Sequence, residues 1–207
     1  MSRITGPKCK LCRREGAKLF LKGARCETQK CAYVRKNYAP GLHGKNVMKK
    51  LTEYGKQLRE KQKAKRIFGI QEKQFRIYAR KAIKQPGIAG DNLMTILETR
   101  ADNILYRSGL AESRNQARQL LNHGLLKIND RRVTIPSIKL KVGDKMEVKE
   151  TSKKAKVFAD VAKQKYMPPR WLKVNPGALA MEMATMPEKD DFEKNINTQA
   201  IIEFYSK

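Results

Sequence analysis

The sequence predicts an α+β protein with two lobes, and two observations lead to this fold class. Apolar residues recur with a helical period as far as Gly124 and alternate after it, which indicates helices followed by short antiparallel strands. All four cysteines lie before residue 32, in a segment that glycine and proline interrupt repeatedly. We therefore expect an irregular cysteine segment joined to a helical domain, and an inserted module of helices packed on a short antiparallel sheet.

The domain boundaries are expected where these patterns change. Residues 1–45 form the cysteine segment, and residues 46–91 form a basic helical domain on which the C-terminal tail, residues 180–207, should pack. Residues 92–179 form the inserted module, whose core is expected at residues 98–150.

Four helices are predicted from Thr52 to Gly124. The first covers residues 52–66, the next two follow helical spacing of apolar residues, and the fourth begins at Ser113 and stops at Gly124. The Ser113 hydroxyl can cap this last helix, and Gln116 completes a capping-box pattern. The apolar positions of the middle two helices are Phe75, Tyr78, Ala79, Ala82 and Ile83, then Leu93, Ile96, Leu97, Ala101, Ile104 and Leu105.

Short strands are predicted after Gly124, with turns at Asn129-Asp130 and Gly143-Asp144. A last helix should carry Val157, Phe158, Val161 and Ala162 as far as Pro168, before an apolar C-terminal stretch. The alternating apolar residues of the strands are Leu126 and Ile128, Val133 and Ile135, Ile138, Leu140 and Val142, and Met146 and Val148.

The charge of the chain points to a polyanionic partner. There are 46 Lys and Arg against 20 Asp and Glu, a net charge of +26 in 207 residues, and such an excess repels itself unless an anion neutralises it. The excess is concentrated in residues 1–66, which should therefore face the partner. No apolar stretch is long enough for a membrane span or a signal peptide, so we expect a cytosolic protein.

The cysteine spacing is typical of a structural metal site. Two residues separate Cys9 from Cys12, four separate Cys26 from Cys31, and thirteen separate the two pairs. Four thiolates would close a tetrahedral shell around one zinc ion; an iron–sulfur cluster also uses four thiolates. Two disulfides, or four unrelated reduced thiols, are the alternatives, and a cytosolic chain disfavours disulfides.

Residues 98–150 resemble a small RNA-binding module that is shared by a ribosomal protein, certain pseudouridine synthases, a bacterial tyrosyl-tRNA synthetase and a heat-shock protein. The matching features are Arg100 with Asp102, Gly109, Ser113-Arg114, Ala117-Arg118, Leu120, Gly124, Ile128-Asn129, Pro136-Ser137 and Gly143-Asp144. Outside this module, GPKCKLCRREG, PGLHG, the basic stretch 54–76 and IIEFYSK resemble the bacterial-type small-subunit ribosomal protein S-four family, in its zinc-binding variant. Ala101 and Asp130 depart from the usual Leu and Gly of that family.

That resemblance implies a two-lobed, non-enzymatic protein that binds the 5′ domain of small-subunit ribosomal RNA at a helical junction. It implies a role early in subunit assembly and in translational accuracy, with ribosomal proteins S-five and S-three as neighbours and the chain as a monomer within the ribosome. An RNA-modifying enzyme is the first alternative, but residues outside the module leave no room for a catalytic domain. The second is a free-standing RNA chaperone or stalled-ribosome factor.

The predicted RNA contacts are cationic or polar residues between Arg3 and Arg131. For His43 a role in a turn is the preferred alternative, and His123 could equally be an ordinary residue at a helix end. The residues are Arg3, Lys8, Lys10, Arg13, Arg14, Lys22, Arg35, Lys36, His43, Lys45, Lys49, Lys50, Lys56, Arg59, Lys63, Arg66, Arg76, Arg100, Ser113, Arg114, Arg118, Gln119, His123 and Arg131.

Overall fold

The computed structural model describes residues 6–45, 51–159 and 166–206. It divides the chain into two compact units, one of residues 1–94 with 193–207 and one of residues 95–192. The tail therefore begins later than the predicted residue 180, because residues 180–183 form a strand of the second unit. Among the described residues, no helix is both long and apolar enough to cross a membrane.

The first unit is helical, and its cysteine segment is more regular than predicted. That segment holds α1 (Lys8–Glu15), a 3-10 turn (Gly23–Cys26) and α2 (Ala32–Arg35). The remaining helices are α3 (Glu53–Ile67), α4 (Glu72–Lys84), α5 (Ala89–Glu98), which ends beyond the unit boundary, and α10 (Thr198–Ser206).

The predicted helical faces are buried in the first unit. Thr52 caps α3 by accepting a hydrogen bond from the Gly55 N–H at 3.2 Å. Phe75, Ala79 and Ala82 of α4 are fully buried, whereas Ile83 is 38% exposed. The C-terminal helix α10 packs on α3, where the rings of Tyr54 and Phe204 lie 5.7 Å apart.

The third predicted helix is two helices, since α5 ends at Glu98 and α6 covers Ala101–Arg107. Arg100 between them is extended and pairs with Lys139 in an isolated β-bridge. Both helices still bury the apolar face that the periodicity marked, which is why the pattern gave no sign of the break. The fourth helix, α7 (Arg114–Asn122), is confirmed with its cap: the Ser113 hydroxyl accepts from the Gln116 N–H at 3.3 Å.

The second unit contains one antiparallel sheet in the order β2-β1-β3-β5-β4. Its strands are β1 (Leu126–Ile128), β2 (Arg131–Val133), β3 (Lys145–Val148), β4 (Leu172–Asn175) and β5 (Ala180–Met183). The predicted strand at Ile138, Leu140 and Val142 is wrong: only the Lys139 bridge forms there, and Val142 is 53% exposed. Strands β4 and β5 were not predicted.

The β1–β2 turn lies at Asn129-Asp130 as predicted, with φ of 45° and 64°. Asn129 offsets the strain of this turn, since its side-chain oxygen accepts from the Lys145 N–H at 3.0 Å.

The predicted last helix corresponds to two short helices in the described residues, α8 (Glu150–Lys153) and α9 (Lys156–Ala159). Its remaining predicted apolar residues, Val161 and Ala162, lie outside the described residues. The apolar core joins α6 and α7 to the inner face of the sheet.

Candidate RNA interface and cysteine cluster

The four cysteines line one small cavity of about 20 Å³ in the first unit. Cys9 and Cys12 lie one turn apart on α1, Cys26 ends the 3-10 turn, and Cys31 precedes α2. All four are free thiols, and only Cys9 is more than slightly exposed. The structure thus brings together the four residues that the spacing singled out.

The environment of these thiols disfavours uncompensated thiolates. Burial raises the pKa of Cys12 and of Cys26, and the neighbouring cysteines raise both further. A cation among them would relieve this repulsion, and four sulfur donors suit zinc. Within the described residues no three His, Cys, Asp or Glu side chains have metal-ligand geometry. The cluster is therefore a candidate by donor chemistry and location, without the arrangement of a bound ion.

A buried carboxylate connects the cysteine segment to the basic helix α3. Glu15, at the end of α1, has a side chain only 1% exposed and accepts from Arg59 at 3.3 Å and from Arg66. Burial raises the pKa of Glu15, and the charges of Arg66 and Arg59 oppose that effect. These two predicted RNA contacts therefore hold α1 on α3, and their side chains remain 25% and 18% exposed.

Other predicted cations of the first unit differ in how firmly they are held. Arg13 donates to the carbonyl of Tyr38 at 2.9 Å and stacks on its ring at 4.8 Å. Lys63 is paired with Glu60 at 2.6 Å and is 16% exposed. Lys8 is half-buried, and the residues largely open to solvent are Lys10, Arg14, Lys22, Arg35, Lys36, His43, Lys45, Lys56 and Arg76. Arg3, Lys49 and Lys50 lie outside the described residues.

In the second unit, Asp102 holds two arginines. Arg100 forms a fork on it, with its Nε at 3.0 Å from Oδ1 and its Nη2 at 2.8 Å from Oδ2. Arg118 of α7 donates through Nε and Nη2 to Oδ2 at 3.1 and 2.5 Å. Arg100 is 3% exposed, so its predicted contact with RNA is replaced by a structural role, whereas the Arg118 side chain is 14% exposed at the edge.

A second buried acid, Glu98, positions two more arginines. Arg107 donates to its two oxygens at 3.1 and 2.8 Å, and Asn103 donates to Oε2 at 2.5 Å. The Asn103 side-chain Oδ1 accepts from Arg114 Nε at 2.7 Å, and the Arg114 guanidinium lies 4.5 Å from the Tyr106 ring centroid. Arg107 is absent from the predicted contacts. Glu98 could have indicated it, because an acid on the apolar face of a helix needs a cationic partner, and Arg107 is that partner.

The polar side of α7 is the strongest candidate for an RNA contact. Ala117, Leu120 and Leu121 are buried as predicted, which leaves Arg114, Arg118 and the exposed Gln119 on the other side. His123 at the helix end and Arg131 in β2 are also exposed. Ser113 is 8% exposed and serves as the helix cap, so we leave it out of the candidate surface.

Comparison with known proteins gives a consistent result over the whole chain. Residues 3–98 match the family described as ribosomal protein S4/S9 N-terminal domain, and residues 99–145 match the S4 domain. The chain is 49% identical to the small ribosomal subunit protein uS4 of Heliobacterium modesticaldum over 210 aligned positions. It is 51% identical to the protein of that name from Acetivibrio thermocellus and 50% to that from Caldicellulosiruptor bescii, with both chains covered completely in every case.

Proposed function

Because this chain belongs to the uS4 family of small ribosomal subunit proteins, we propose that it binds small-subunit ribosomal RNA. It is a structural constituent of the small ribosomal subunit, and its family is not an enzymatic one. We further place it in the cytoplasm, where subunits are built.

The observation that carries RNA binding is the set of arginines that buried carboxylates hold at the surface of the second unit. Glu98 and Asp102 fix Arg107 and Arg118 directly, and Asn103 fixes Arg114. A guanidinium that is already oriented loses less entropy when it forks onto a phosphate than a free one. Because A-form RNA hides its base edges in a deep groove, such arginines read backbone shape more than sequence.

Salt dependence tests this proposal with the full chain and a transcript of small-subunit ribosomal RNA. If roughly 6 to 10 phosphates are contacted, affinity should fall about 10³- to 10⁵-fold between 50 and 200 mM salt, by analogy with duplex DNA. A nearly flat response would contradict the proposal. A wash of purified subunits at high salt distinguishes an integral component, which stays bound, from a transient RNA chaperone, which leaves.

The finer assignment concerns the position in the subunit. We propose that the chain binds a helical junction of the 5′ domain, supports early assembly, and contributes to decoding accuracy beside ribosomal proteins S-five and S-three. The support is the resemblance of the cysteine segment, the basic helix and the module to the S-four family. Chemical footprinting of the protein on the RNA tests the junction, and protection outside the 5′ domain would contradict it.

We also propose that Cys9, Cys12, Cys26 and Cys31 hold one zinc ion. When bound, zinc would supply a structural crosslink, since four thiolates leave no coordination position for a reacting water. The shared cavity and the mutual repulsion of the thiols support this proposal. Elemental analysis of the purified protein tests it: about one equivalent of zinc is expected, iron would indicate a cluster, and less than a tenth of an equivalent of either would contradict a metal site.

A further inference from the structure

The outer face of the sheet carries like charges in positions where sheets normally avoid them. Lys127 of β1 lies directly opposite Arg132 of β2 in the antiparallel register. Leu126 and Val133, the neighbours of this pair, are buried, so Lys127 and Arg132 share the face that is turned away from the core. Like charges opposite each other destabilise an antiparallel pair. Lys149, just after β3, adds a third cation, and its N–H bonds the Leu125 carbonyl at 3.0 Å.

The guanidinium of Arg132 lies close over the backbone of Gly124 at the end of α7. A Cβ added to Gly124 would lie 2.5 Å from Nε and 2.8 Å from Nη2 of Arg132. Gly124 has a φ of +65°, and its N–H and that of Leu125 bond carbonyls in the last turn of α7. A cation beside the C-terminal end of a helix is favoured by the helix dipole. Arg132 of the cationic cluster therefore lies beside the C-terminal end of α7.

The three cations lack a neutralising partner inside the part of the chain that the structure describes. No carboxylate there lies within ion-pair distance of Lys127, Arg132 or Lys149. Glu147 lies opposite Lys127 on its other side, yet the two form no ion pair. Partial desolvation lowers the pKa of Lys149, and the charges of Arg132 and Lys127 lower it further. The three cations therefore repel one another in the free protein.

The other half of the same face is built differently. Glu182 of β5 lies between Lys145 of β3 and Lys173 of β4 in register, so the charges alternate across the strands. This is the arrangement that stabilises cross-strand pairs. Among the paired residues of the described sheet, like charges therefore lie directly opposite each other only at Lys127 and Arg132, which argues for a ligand at that side.

We propose that Lys127, Arg132 and Lys149 form a second site for RNA backbone phosphates, on the outer face of the sheet beside the C-terminal end of α7. This inference rests on the proposed RNA-binding function and extends it from the helix to the sheet. Phosphate oxygens suit the guanidinium fork and two flexible ammonium groups, and adjacent strands about 4.8 Å apart present these cations side by side. An acidic protein surface is the competing ligand, and the match of residues 99–145 to the S4 domain favours RNA over it.

The test compares two triple variants of the full chain that lose the same charge. One is Lys127→Gln with Arg132→Gln and Lys149→Gln; the control is Lys141→Gln with Lys145→Gln and Lys173→Gln, exposed lysines of the same unit. Binding to a small-subunit ribosomal RNA transcript is measured from 50 to 200 mM salt. The site variant should reduce the slope of log affinity against log salt by roughly 2 to 3, which corresponds to about 16- to 64-fold across that range. The control should stay near the wild-type slope.

Thermal melts exclude an indirect effect of the substitutions. The site variant should melt at or above the wild-type temperature, because it removes repulsion in the free protein. Equal slopes for the site and control variants, with wild-type binding intact, would overturn this inference and leave the proposed function standing. Loss of incorporation into reconstituted subunits at unchanged RNA affinity would also overturn it, in favour of an acidic protein partner. If the wild type itself fails to bind, the proposed function fails first.

Discussion

The cysteine segment and the second unit differ in how much apolar surface they bury. In described residues 6–45 the buried apolar side chains are three cysteines with Leu19 and Leu21. The second unit instead has a contiguous apolar cluster that joins α6, α7 and the sheet. A segment with so little apolar burial cannot offset its conformational entropy by packing alone. If the proposed zinc site forms, four metal–thiolate bonds would stabilise the cysteine segment, whereas packing of aliphatic side chains stabilises the second unit.

The largest expected effect tests whether the thiols hold the segment together. Cys26→Ser removes one of four ligands, and metal binding and folding are coupled in small sites of this kind, where apparent binding energies reach about 10 to 16 kcal/mol. Residues 6–45 should lose most of their protection from amide hydrogen exchange, while the second unit keeps its own. Cys9→Ser should behave alike.

Ala24→Ser is the matched control for this prediction, since Ala24 is exposed in the same 3-10 turn as Cys26. It should leave both the zinc content and the exchange pattern unchanged. Wild-type protection in the Cys26→Ser protein would mean that the segment is ordered without a ligand, and the contrast between the two regions would disappear.

The complementary experiment weakens the apolar core of the second unit. Leu120 on α7 is 5% exposed, so Leu120→Ala should cost about 2 to 5 kcal/mol of unfolding free energy in that unit. Gln119→Ala, on the exposed side of the same helix, should change it by less than about 0.5 kcal/mol. Denaturant unfolding monitored by hydrogen exchange reports the two regions separately, and equal costs for the two variants would contradict the assignment of the core.

A third, smaller effect concerns binding rather than stability. Arg114→Ala with Arg118→Ala removes two oriented guanidiniums from α7, and affinity for the RNA should fall about 10- to 100-fold with a shallower salt slope. Lys141→Ala with Lys173→Ala removes equal charge from the same unit and serves as control. Arg100 still neutralises Asp102 in the double variant, so the fold should persist in thermal melts. Unchanged affinity and slope would place the RNA elsewhere on this unit.

The sequence predicted the features that local residues determine and missed those that depend on tertiary contacts. Local signals were sufficient for α7, where Ser113 and Gly124 mark both ends, and for the turn at Asn129-Asp130. The break between α5 and α6 has a tertiary cause: the Ala101 N–H bonds the Ile138 carbonyl and the Leu140 N–H bonds the Thr99 carbonyl. Periodicity cannot report such contacts, because the apolar residues of both helices are buried on either side of the break.

Strands β4 and β5 were missed for a related reason. Their sequences, LKVN and AMEM, are short, and Ala and Met are poor signals for a strand. The long-range pairing of β5 with β3 stabilises them. The candidate sites also differ in how far the sequence predicts them. The spacing of the cysteines predicted that they lie together. The roles of Glu98 and Asp102 in orienting arginines depend instead on side-chain contacts, which residue spacing does not determine.

The smallest predicted effect is the pH dependence of stability in the first unit, where a polar network joins α3, α4 and α10. Glu72 accepts from Lys61 and Lys65 at 3.0 Å each and from the Tyr205 hydroxyl at 2.7 Å. Burial alone would raise the pKa of Glu72, but hydrogen bonds from Tyr205, Lys65 and Lys61 outweigh it and lower the pKa from 4.5 to about 2. Burial raises the pKa of Tyr205, and its hydrogen bond to Glu72 raises it further.

A depressed carboxyl pKa stabilises the folded state above the unfolded value and loses that contribution as pH falls. Stability of the wild type should therefore decline between about pH 5 and pH 2 more steeply than that of Glu72→Gln. Because the Glu72 side chain is 44% exposed, solvent screening limits the difference to about 1 kcal/mol. Glu53→Gln, at a 71% exposed acid paired with Lys56, should follow the wild-type curve in acid titrations of unfolding. Parallel curves for wild type and Glu72→Gln would show that apolar packing of α10, and not this network, holds the C-terminal helix on the first unit.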